Sequence, residues 1–440
     1  MVNRSLFPAL GLIGVAATAW YSERLTAPEV RPGPVRITYW EKWTGFEGDA
    51  MRAVVDEFNR SQDEIFVELL TVSGIQDKTL LATSGGNPPD VAGLFGPNVA
   101  QYADNMAVMP LTEFCKEAGI GPEDYIPCYW DIGFYKGEVY SLPTTPASTA
   151  LHYNRALLKA AGLDPDRPPK TIEELDAYAE KLTKRNGSRI EVSGFLPNEP
   201  GWWNWSWGYF FGGTLLEGDT ITANSPENIR AYEWIQSYTK KFGAGDIQAF
   251  RSGFGNFSSP QNPFMSQKVA MVLQGVWMYN FISQFAPELD WAAAPFPHPA
   301  DRPDLAEPTL VDLDVLVIPV GAKHPKEAFE FIKFVQSQKG MELLCMGQRK
   351  HSPLREVSPG FYEKHPNPYI RLFTELAYSK NAIPAPKIGI WPEYQAELNS
   401  AFDEVYLMRK TPKEALNYVQ ARMTPLWEDY LLKQKLREQR

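Results

Sequence analysis

Cysteine, histidine and basic charge are all scarce in this chain of 440 residues, and each scarcity argues against a class of protein. Three cysteines without CxxC spacing make neither a disulfide framework nor a structural zinc site. A single disulfide between Cys115 and Cys128 is compatible with the sequence but not required by it. The 43 basic residues are outnumbered by 53 acidic ones, and the net charge of −10 disfavours nucleic acid as a partner. Five scattered histidines indicate no metal site.

Catalytic and nucleotide-binding motifs are missing as well. The sequence has no GxSxG, HExxH or Walker motif and no GxGxxG after a strand. The glycine-rich turn that begins at Gly85 has no lysine to meet a phosphate. We therefore predict no catalytic residue, no metal and no cofactor.

Long apolar runs are confined to the N-terminus, where the pattern is that of a secretory signal. Arg4 precedes an apolar run at 6–17, and the small-x-small sequence at 17–19 fits a signal-peptidase site. The run is shorter than the roughly 20 residues that span a bilayer, and an uncleaved anchor is the alternative. We assign 1–19 to a signal peptide or anchor and the proline-rich 20–34 to a linker. We therefore expect an exported protein that is located in the periplasm or at the cell surface.

Apolar periodicity alternates between strand and helix after the linker. Residues 35–40, 65–72 and 90–95 read as strands, and 51–58 and 77–83 have helical spacing. Such alternation predicts an α/β fold with a mostly parallel sheet that helices cover on both faces. Helix starts follow after residue 150. Thr171 begins a capping box, and Ser225 and Thr411 are hydroxyl N-caps, each followed by a proline at the first helical position.

One apolar segment at 310–319 carries two acids. Asp312 and Asp314 stand two apart and so project from one face of a strand, where they must be paired or face a cleft. The alternative is that both lie in the loop before the strand and cap it.

Aromatic residues are the positive signal, since the chain has 13 tryptophans. Four indoles lie within residues 202–207, too many for the single buried face of one helix, so we expect some of them to be accessible to solvent or ligand. Trp40 and Trp43 stand beside Glu41 and Glu47 after the first strand. Indoles stack on sugar rings while carboxylates accept hydroxyls, and this pairing therefore favours a carbohydrate ligand. The competing interpretation is that the tryptophans fill two cores, as Trp234 and Trp427 on helical stripes should.

Paired carboxylates are also the catalytic residues of glycoside hydrolases. Glu41, Glu47, Asp312 and Asp314 would supply an acid and a nucleophile. A carbohydrate-active enzyme is therefore a further alternative.

Several short sequences, in order, resemble the extracellular solute-binding proteins of bacterial ABC sugar importers, the group with the maltose- and glycerol-phosphate-binding proteins. The resemblance spans about residues 36–430 and is carried by Ile37-Thr38-Tyr39-Trp40, Gly86-Asn87-Pro88-Pro89-Asp90-Val91, Gly137-Glu138-Val139-Tyr140-Ser141-Leu142-Pro143, Tyr153-Asn154-Arg155, Lys268-Val269-Ala270-Met271, Gly275-Val276-Trp277, Pro295-Phe296-Pro297 and Lys323-His324-Pro325.

The resemblance implies a two-lobed, periplasmic-binding-protein type II-like fold with a hinge. The chain would cross between the lobes near 143–147 and 297–314. The first lobe would then comprise 35–143 with 306–352, and the second 144–305 with 353–440. The family pattern implies pocket positions at Trp43, Glu47, Asn98, Thr145, Trp277, Asp312, Asp314 and Arg355, and the tryptophan run of this chain adds Trp202, Trp203 and Trp205.

The function implied is capture of a sugar or oligosaccharide without chemistry, by a monomer that delivers it to ABC permease subunits. A receptor for a phosphorylated polyol or another small polar solute is the alternative within the same fold. Many relatives have glycines where Asp312 and Asp314 stand and a carboxylate where Asn98 stands, so the ligand's hydroxyl pattern need not be that of maltose.

Overall fold

The computed structural model describes residues 33–255 and 257–438. The predicted signal segment at 1–19 and nearly all of the linker at 20–34 lie outside the described residues. No helix within these ranges has the length and apolar character needed to cross a membrane.

Strands and helices alternate along the chain. The strands are β1 (Val35–Glu41), β2 (Ile65–Thr71), β3 (Val91–Phe95), β4 (Phe134–Tyr135), β5 (Glu138–Val139), β6 (Leu142–Asn154), β7 (Lys184–Asn186), β8 (Arg189–Val192), β9 (Leu216–Glu217), β10 (Thr220–Ile221), β11 (Met271–Gly275), β12 (Trp291–Ala294), β13 (Thr309–Val317) and β14 (Ala382–Ile383).

The α-helices are α1 (Gly45–Ser61), α2 (Ile75–Ser84), α3 (Val99–Asp104), α4 (Thr112–Ala118), α5 (Pro127–Gly133), α6 (Arg155–Ala160), α7 (Ile172–Leu182), α8 (Pro226–Phe242), α9 (Ala244–Arg251), α10 (Met278–Phe285), α11 (Pro325–Gln336), α12 (Gln338–Gln348), α13 (Phe361–Lys364), α14 (Ile370–Ala377), α15 (Trp391–Tyr406) and α16 (Pro412–Glu438). A 3-10 helix at Asn204–Phe211 contains Trp205 and Trp207 of the tryptophan run, while Trp202 and Trp203 lie in the turn before it.

The start of the fold confirms the predicted alternation. β1, α1, β2, α2 and β3 follow one another, and β1 pairs in parallel with β2 on one side and β3 on the other. The apolar positions that indicated α1, among them Met51 and Phe58, are buried. Because parallel strands end at the same edge of a sheet, the residues that follow β1 and β3 lie close together.

The α/β fold is confirmed, with a sheet that is more mixed than the predicted mostly parallel one. The strand order is β11-β6-β13-β3-β1-β2, with β12 also on β6 and β14 on β13. β13 runs antiparallel to β3 and to β6, and β6 runs antiparallel to β11 and β12. All of these antiparallel pairs involve β6 or β13, which lie side by side and run in opposite directions.

The two largest hydrophobic clusters of the described residues mark two lobes, which we call the first and the second lobe. The first-lobe core surrounds β1, α1, α11 and α12, and the second-lobe core surrounds the 3-10 helix, α8, α15 and α16. β6 joins them, since Leu142 packs in the first core and Leu151 in the second. Leu354 and Phe361 pack in the first core, whereas the sequence-derived boundaries put 353–440 in the second lobe. Those boundaries stay a prediction.

Helix capping follows the sequence signals. The Thr171 hydroxyl accepts the N–H of Glu174 at 3.2 Å, and the Ser225 hydroxyl accepts the N–H of Asn228 at 3.3 Å. At Thr411 the box is reciprocal, because Glu414 also accepts the Thr411 N–H at 2.9 Å. Each such cap satisfies backbone donors that the first helical turn leaves free.

Cysteines and two of the tryptophans are structural. Cys115, Cys128 and Cys345 are free thiols, so the Cys115–Cys128 bridge that the sequence left open is not formed. Trp234 and Trp427 are buried in the second-lobe core, as their helical stripes predicted. Each indole N–H has an acceptor there, namely a carboxylate of α7 and a backbone carbonyl after β9.

Candidate functional site

A cleft of about 450 Å³ lies where β1, β3 and β13 meet β6 and the second lobe. Its walls come from both lobes, because Trp43 and Phe95 follow and end the parallel strands β1 and β3 while Trp277 follows β11. The lining residues are Trp43, Glu47, Phe95, Thr145, Ala147, Trp202, Phe257, Ser258, Trp277, Phe281, Asp312, Leu313, Asp314 and Lys350.

Asp314 is the centre of a buried ionic network on the first-lobe side of the cleft. Its carboxylate forms ion pairs with Lys42 at 3.2 Å and Lys350 at 3.7 Å. It also accepts the Trp43 indole N–H at 3.1 Å and the Thr145 hydroxyl at 3.3 Å. These contacts involve both carboxylate oxygens, only one of them on Oδ1, and they fix the Trp43 ring against β13.

The two lysines of this network are almost fully buried. The Lys42 side chain is 7% exposed and also pairs with Glu41 at 3.5 Å, while the Lys350 side chain is 4% exposed and pairs with Glu47 at 2.8 Å. Burial lowers the pKa of each lysine, but the neighbouring carboxylates outweigh it and the net pKa of both is raised. Both ammonium groups are therefore charged.

Register explains how the acids reach the cleft. β13 pairs with β6 at Leu313↔Pro146 and next at Val315↔Pro143, so the pairing shifts around Asp314. Such a bulge re-aims side chains, and bulges are common beside functional sites. Both acids lie within β13, so the prediction that they lie in the strand is confirmed and the capping-loop alternative is wrong.

Asp312 differs from Asp314 in its partners. Its Oδ1 accepts the N–H of Leu313 at 2.7 Å, and among the described residues no lysine or arginine forms an ion pair with it. Burial raises the pKa of Asp312 to about 7, with a further contribution from Asp314, while the Leu313 N–H opposes the shift. Asp312 therefore changes charge near neutral pH.

The second-lobe side of the cleft is aromatic. Ring centroids lie 6.1 Å apart between Trp202 and Trp277 and 4.4 Å apart between Trp202 and Phe257. Trp202 is 43% exposed, and exposed indole surface of this size is what a stacking ligand covers. Gly275 allows the Trp277 ring to lie on the backbone, because a Cβ there would come within 2.3 Å of the ring.

Seven of the predicted site residues lie together in the cleft. They are Trp43, Glu47, Thr145, Trp202, Trp277, Asp312 and Asp314.

Four predicted residues do not line it. Trp205 is 6% exposed and packs on Trp391 in the second-lobe core, because the 3-10 helix turns it inward. Trp203 packs against the same core, with its ring 6.0 Å from that of Trp277. Arg355 donates to the Tyr125 carbonyl instead.

Asn98 lies at the end of a short 3-10 turn that precedes α3. Its buried Oδ1 has no hydrogen-bond partner within 33–255 and 257–438. It is not among the residues that line the cleft.

Sequence reasoning missed Phe95, Ala147, Phe257, Ser258, Phe281, Leu313 and Lys350. Phe95 ends a strand parallel to β1, so the strand pattern itself was a usable signal. The sequence around Lys350 gave no signal for a site residue, because its partners Glu47 and Asp314 are distant in sequence.

Two further observations concern titratable side chains, and a third concerns a groove outside the cleft. The described part of the chain contains no group of three His, Cys, Asp or Glu side chains that could hold a metal ion. His152 is buried with its ring stacked on Trp291 at 5.4 Å, and burial lowers its pKa to about 4. A larger groove of about 790 Å³ between β8 and α9 lies away from the crossing strands and contains none of the predicted residues.

Comparisons with known proteins agree with this architecture. The family model for bacterial extracellular solute-binding proteins matches residues 46–342. The sn-glycerol-3-phosphate-binding periplasmic protein UgpB of Pectobacterium atrosepticum is 23% identical over an alignment of 413 positions that covers 87% of this chain and 88% of that protein. UgpB of Escherichia coli is 25% identical over 415 residues, covering 87% and 90% of the two chains.

Solved structures share the fold. CpMnBP1 with mannotriose bound has a TM-score of 0.78 at 30% identity, covering 88% of this chain and 99% of its own. The GacH receptor of Streptomyces glaucescens, solved unliganded and with acarbose, has a TM-score of 0.72 at 20% identity, covering 90% and 99%. Together with the family match, these likenesses confirm the resemblance: the chain belongs to the bacterial extracellular solute-binding proteins and is the solute-binding component of an ABC importer.

Proposed function

We propose that the protein captures a sugar or oligosaccharide in the interlobe cleft and delivers it, as a monomer, to ABC permease subunits. The observation that carries the proposal is that aromatic rings of both lobes line one cleft, together with the acids Glu47, Asp312 and Asp314 on its first-lobe side. Rings stack on the C–H faces of a pyranose, and the carboxylates accept its hydroxyls.

Charge in the cleft favours a neutral guest over a phosphorylated one. Lys350, the lysine that lines the cleft, already pairs with Glu47 and Asp314, and Lys42 pairs with Glu41 and Asp314. A phosphate would meet a site in which each positive charge is balanced, and it would be repelled by the carboxylates. Glycerol-3-phosphate, the ligand named for the UgpB relatives, is therefore the weaker candidate.

The same contacts argue for binding without turnover. A glycosidase needs one carboxyl as acid and a second as nucleophile or base on either side of the bond that is cleaved. Here Asp314 is held by two lysines and two hydrogen bonds, and Glu47 is held by Lys350. Asp312 is left as the acid without an ion-pair partner among the described residues.

Capture would proceed by closure of the lobes. A sugar that touches rings of both lobes binds the closed arrangement more tightly than the open one and so shifts the population towards closure. A disaccharide has about 23 non-hydrogen atoms, and at roughly 0.3 kcal/mol for each the ceiling is about 7 kcal/mol, a Kd in the micromolar range. Such affinity permits release to the permease.

The test is a ligand panel. Thermal shift followed by calorimetry on the full chain would compare mannobiose, mannotriose, maltose and glycerol-3-phosphate, because a ligand that binds only the native state raises the melting temperature. We expect at least one sugar to bind with micromolar Kd, to be recovered unchanged after days, and to be preferred over glycerol-3-phosphate. Preference for glycerol-3-phosphate, or hydrolysis of the sugar, would overturn the proposal.

A further inference from the structure

Three acids line the interlobe cleft, and two of them are paired with lysine. Glu47 pairs with Lys350 at 2.8 Å, and Asp314 pairs with Lys42 at 3.2 Å and with Lys350 at 3.7 Å. Asp312 forms no ion pair with a lysine or arginine at 33–255 or 257–438. Its Oδ1 accepts the N–H of the next residue at 2.7 Å, and in the same ranges no donor bonds its Oδ2. Oδ2 is therefore the acceptor that the fold leaves for a sugar in the cleft.

The groups around Asp312 hold it close to the balance between its two protonation states. Burial favours the neutral carboxyl of Asp312, and the Leu313 N–H opposes burial. The negative charge of Asp314, two residues along the same strand, again favours the neutral form, while Lys42 and Lys350 act against it. The resulting pKa is about 7, so about half of the sugar-free molecules carry this proton at pH 7.

Two buried titratable groups near Asp312 stay neutral around pH 7. Burial raises the pKa of Tyr129 on α5, with smaller contributions from Cys128 and Asp312. The Tyr129 hydroxyl lies 2.7 Å from Nε2 of His351, and burial lowers the pKa of His351 to about 3. Because neither group changes charge between pH 5 and 8.5, neither adds a proton of its own to a pH effect in this range.

A small cavity beside Asp312 contributes one further charged group, which already has a partner. Tyr135 and Lys387 line this cavity together with Asp312. Lys387 pairs with Asp131 at 2.8 Å, and Tyr135 donates to Asp104 at 2.8 Å. Neither side chain is bonded to Asp312, so this cavity does not supply the donor that Oδ2 lacks.

A sugar hydroxyl that donates to Oδ2 prefers the ionised form of Asp312. A hydrogen bond to a charged acceptor is roughly twice as strong as one to a neutral acceptor, and such a bond lowers the pKa of the acid that accepts it. Exclusion of water when the lobes close acts in the opposite direction. The surrounding protein has already displaced most of the water from this carboxyl, so the hydroxyl decides the sign.

We propose that capture of the sugar is linked to ionisation of Asp312, such that the sugar binds the carboxylate form and the proton of Asp312 passes to the solvent. The inference rests on the proposed function of the interlobe cleft. It predicts that the affinity for sugar is highest above pH 7 and falls as the solution becomes acidic, because below pH 7 the proton must be removed before the sugar binds.

The size of the effect follows from one charge-assisted hydrogen bond. If the carboxylate form binds about tenfold more tightly, the pKa of Asp312 falls by about one unit, to about 6, in the complex. Binding at pH 7 then releases about 0.4 proton, since about half of the sugar-free molecules and about a tenth of the complexes are protonated. The Kd should be nearly tenfold larger at pH 5 than at pH 8.5.

The test is calorimetric titration with mannotriose, or with another sugar of the panel should mannotriose not bind. The Kd is measured at pH 5, 7 and 8.5, and the proton release at pH 7 is measured in PIPES and in Tris, which differ in ionisation enthalpy. Asp312→Asn keeps an oxygen for the Leu313 N–H but cannot ionise, so both effects should disappear. Asp301→Asn removes an exposed acid paired with Arg230 and is the matched control, which should keep both.

Each outcome decides. A wild-type Kd that does not change with pH, uptake of a proton on binding, or a pH dependence that survives Asp312→Asn would overturn the inference while the proposed function stands. Failure of every sugar of the panel to bind would instead refute the proposed function. Melting of each sugar-free variant checks folding, and should Asp312→Asn not fold, Asp312→Ser replaces it with the same expected loss of both effects.

Discussion

Replacement of Trp277 by alanine should weaken sugar binding by more than tenfold. An aromatic side chain buries roughly 150–250 Å², so one ring face covers about 70 Å². At about 25 cal/mol for each Å², the lost contact is worth about 1.8 kcal/mol, or about 20-fold in Kd. This is a lower bound, because the face of the sugar that lay on the ring is returned to water as well.

The assay is calorimetric titration of both proteins with the best ligand of the sugar panel. Tyr418→Ala removes an aromatic ring that is 52% exposed on α16 and is not among the residues that line the cleft, and it should leave the Kd unchanged. The melting temperature without sugar checks that each variant is folded. A Kd for Trp277→Ala within twofold of the wild type would remove this ring from the site and refute the reasoning.

Three further predictions follow from the geometry of the cleft. Gly275→Ala keeps the Trp277 indole but displaces it, since a Cβ would lie 2.3 Å from the ring, so calorimetry should show weaker sugar binding, and an unchanged Kd would contradict the contact. Lys350→Met leaves buried carboxylates without their cation and should lower the free energy of unfolding by about 3 kcal/mol in urea titrations, whereas Lys339→Met, at an exposed pair, should cost about 0.5 kcal/mol or less. The folded pKa of Asp312 is about 7 against about 3.9 in the unfolded chain, so protonated Asp312 contributes at most about 4 kcal/mol to the free energy of unfolding below pH 4, and this contribution is lost as the pH rises to 7. Thermal melting of Asp312→Asn between pH 4 and 8 should not show this loss. Parallel plots of melting temperature against pH for the wild type and the variant would refute the prediction.

The fold was predictable from local patterns because they coincide with tertiary structure here. Alternating strands and helices indicated β1 to β3, and hydroxyl caps placed the starts of α7, α8 and α16. What periodicity did not indicate was the antiparallel pairing of β6 with β13, since strand direction in the sheet depends on where the chain crosses between lobes. The resemblance predicts crossings near 143–147 and 297–314, but the strand order of the sheet came only with the structure.

The candidate site was predictable where function and local position agree. Trp43 follows a parallel strand, and Asp314 interrupts an apolar one, so both were visible in the sequence. Lys350 was not, because its ion pair with Glu47 joins segments some 300 positions apart in the sequence. Trp202 and Trp205 could not be separated either, since only the structure shows that Trp202 lies in the turn before the 3-10 helix and lines the cleft, whereas Trp205 lies in the helix and faces the core.

The most direct test of the account is a crystal structure of the full chain with the tightest-binding sugar of the panel. We predict a sugar ring stacked on Trp277 within the interlobe cleft, with its hydroxyls on the carboxylates of Glu47, Asp312 or Asp314. A sugar bound outside that cleft, or bound within it without contact to these rings and acids, would contradict the central claim.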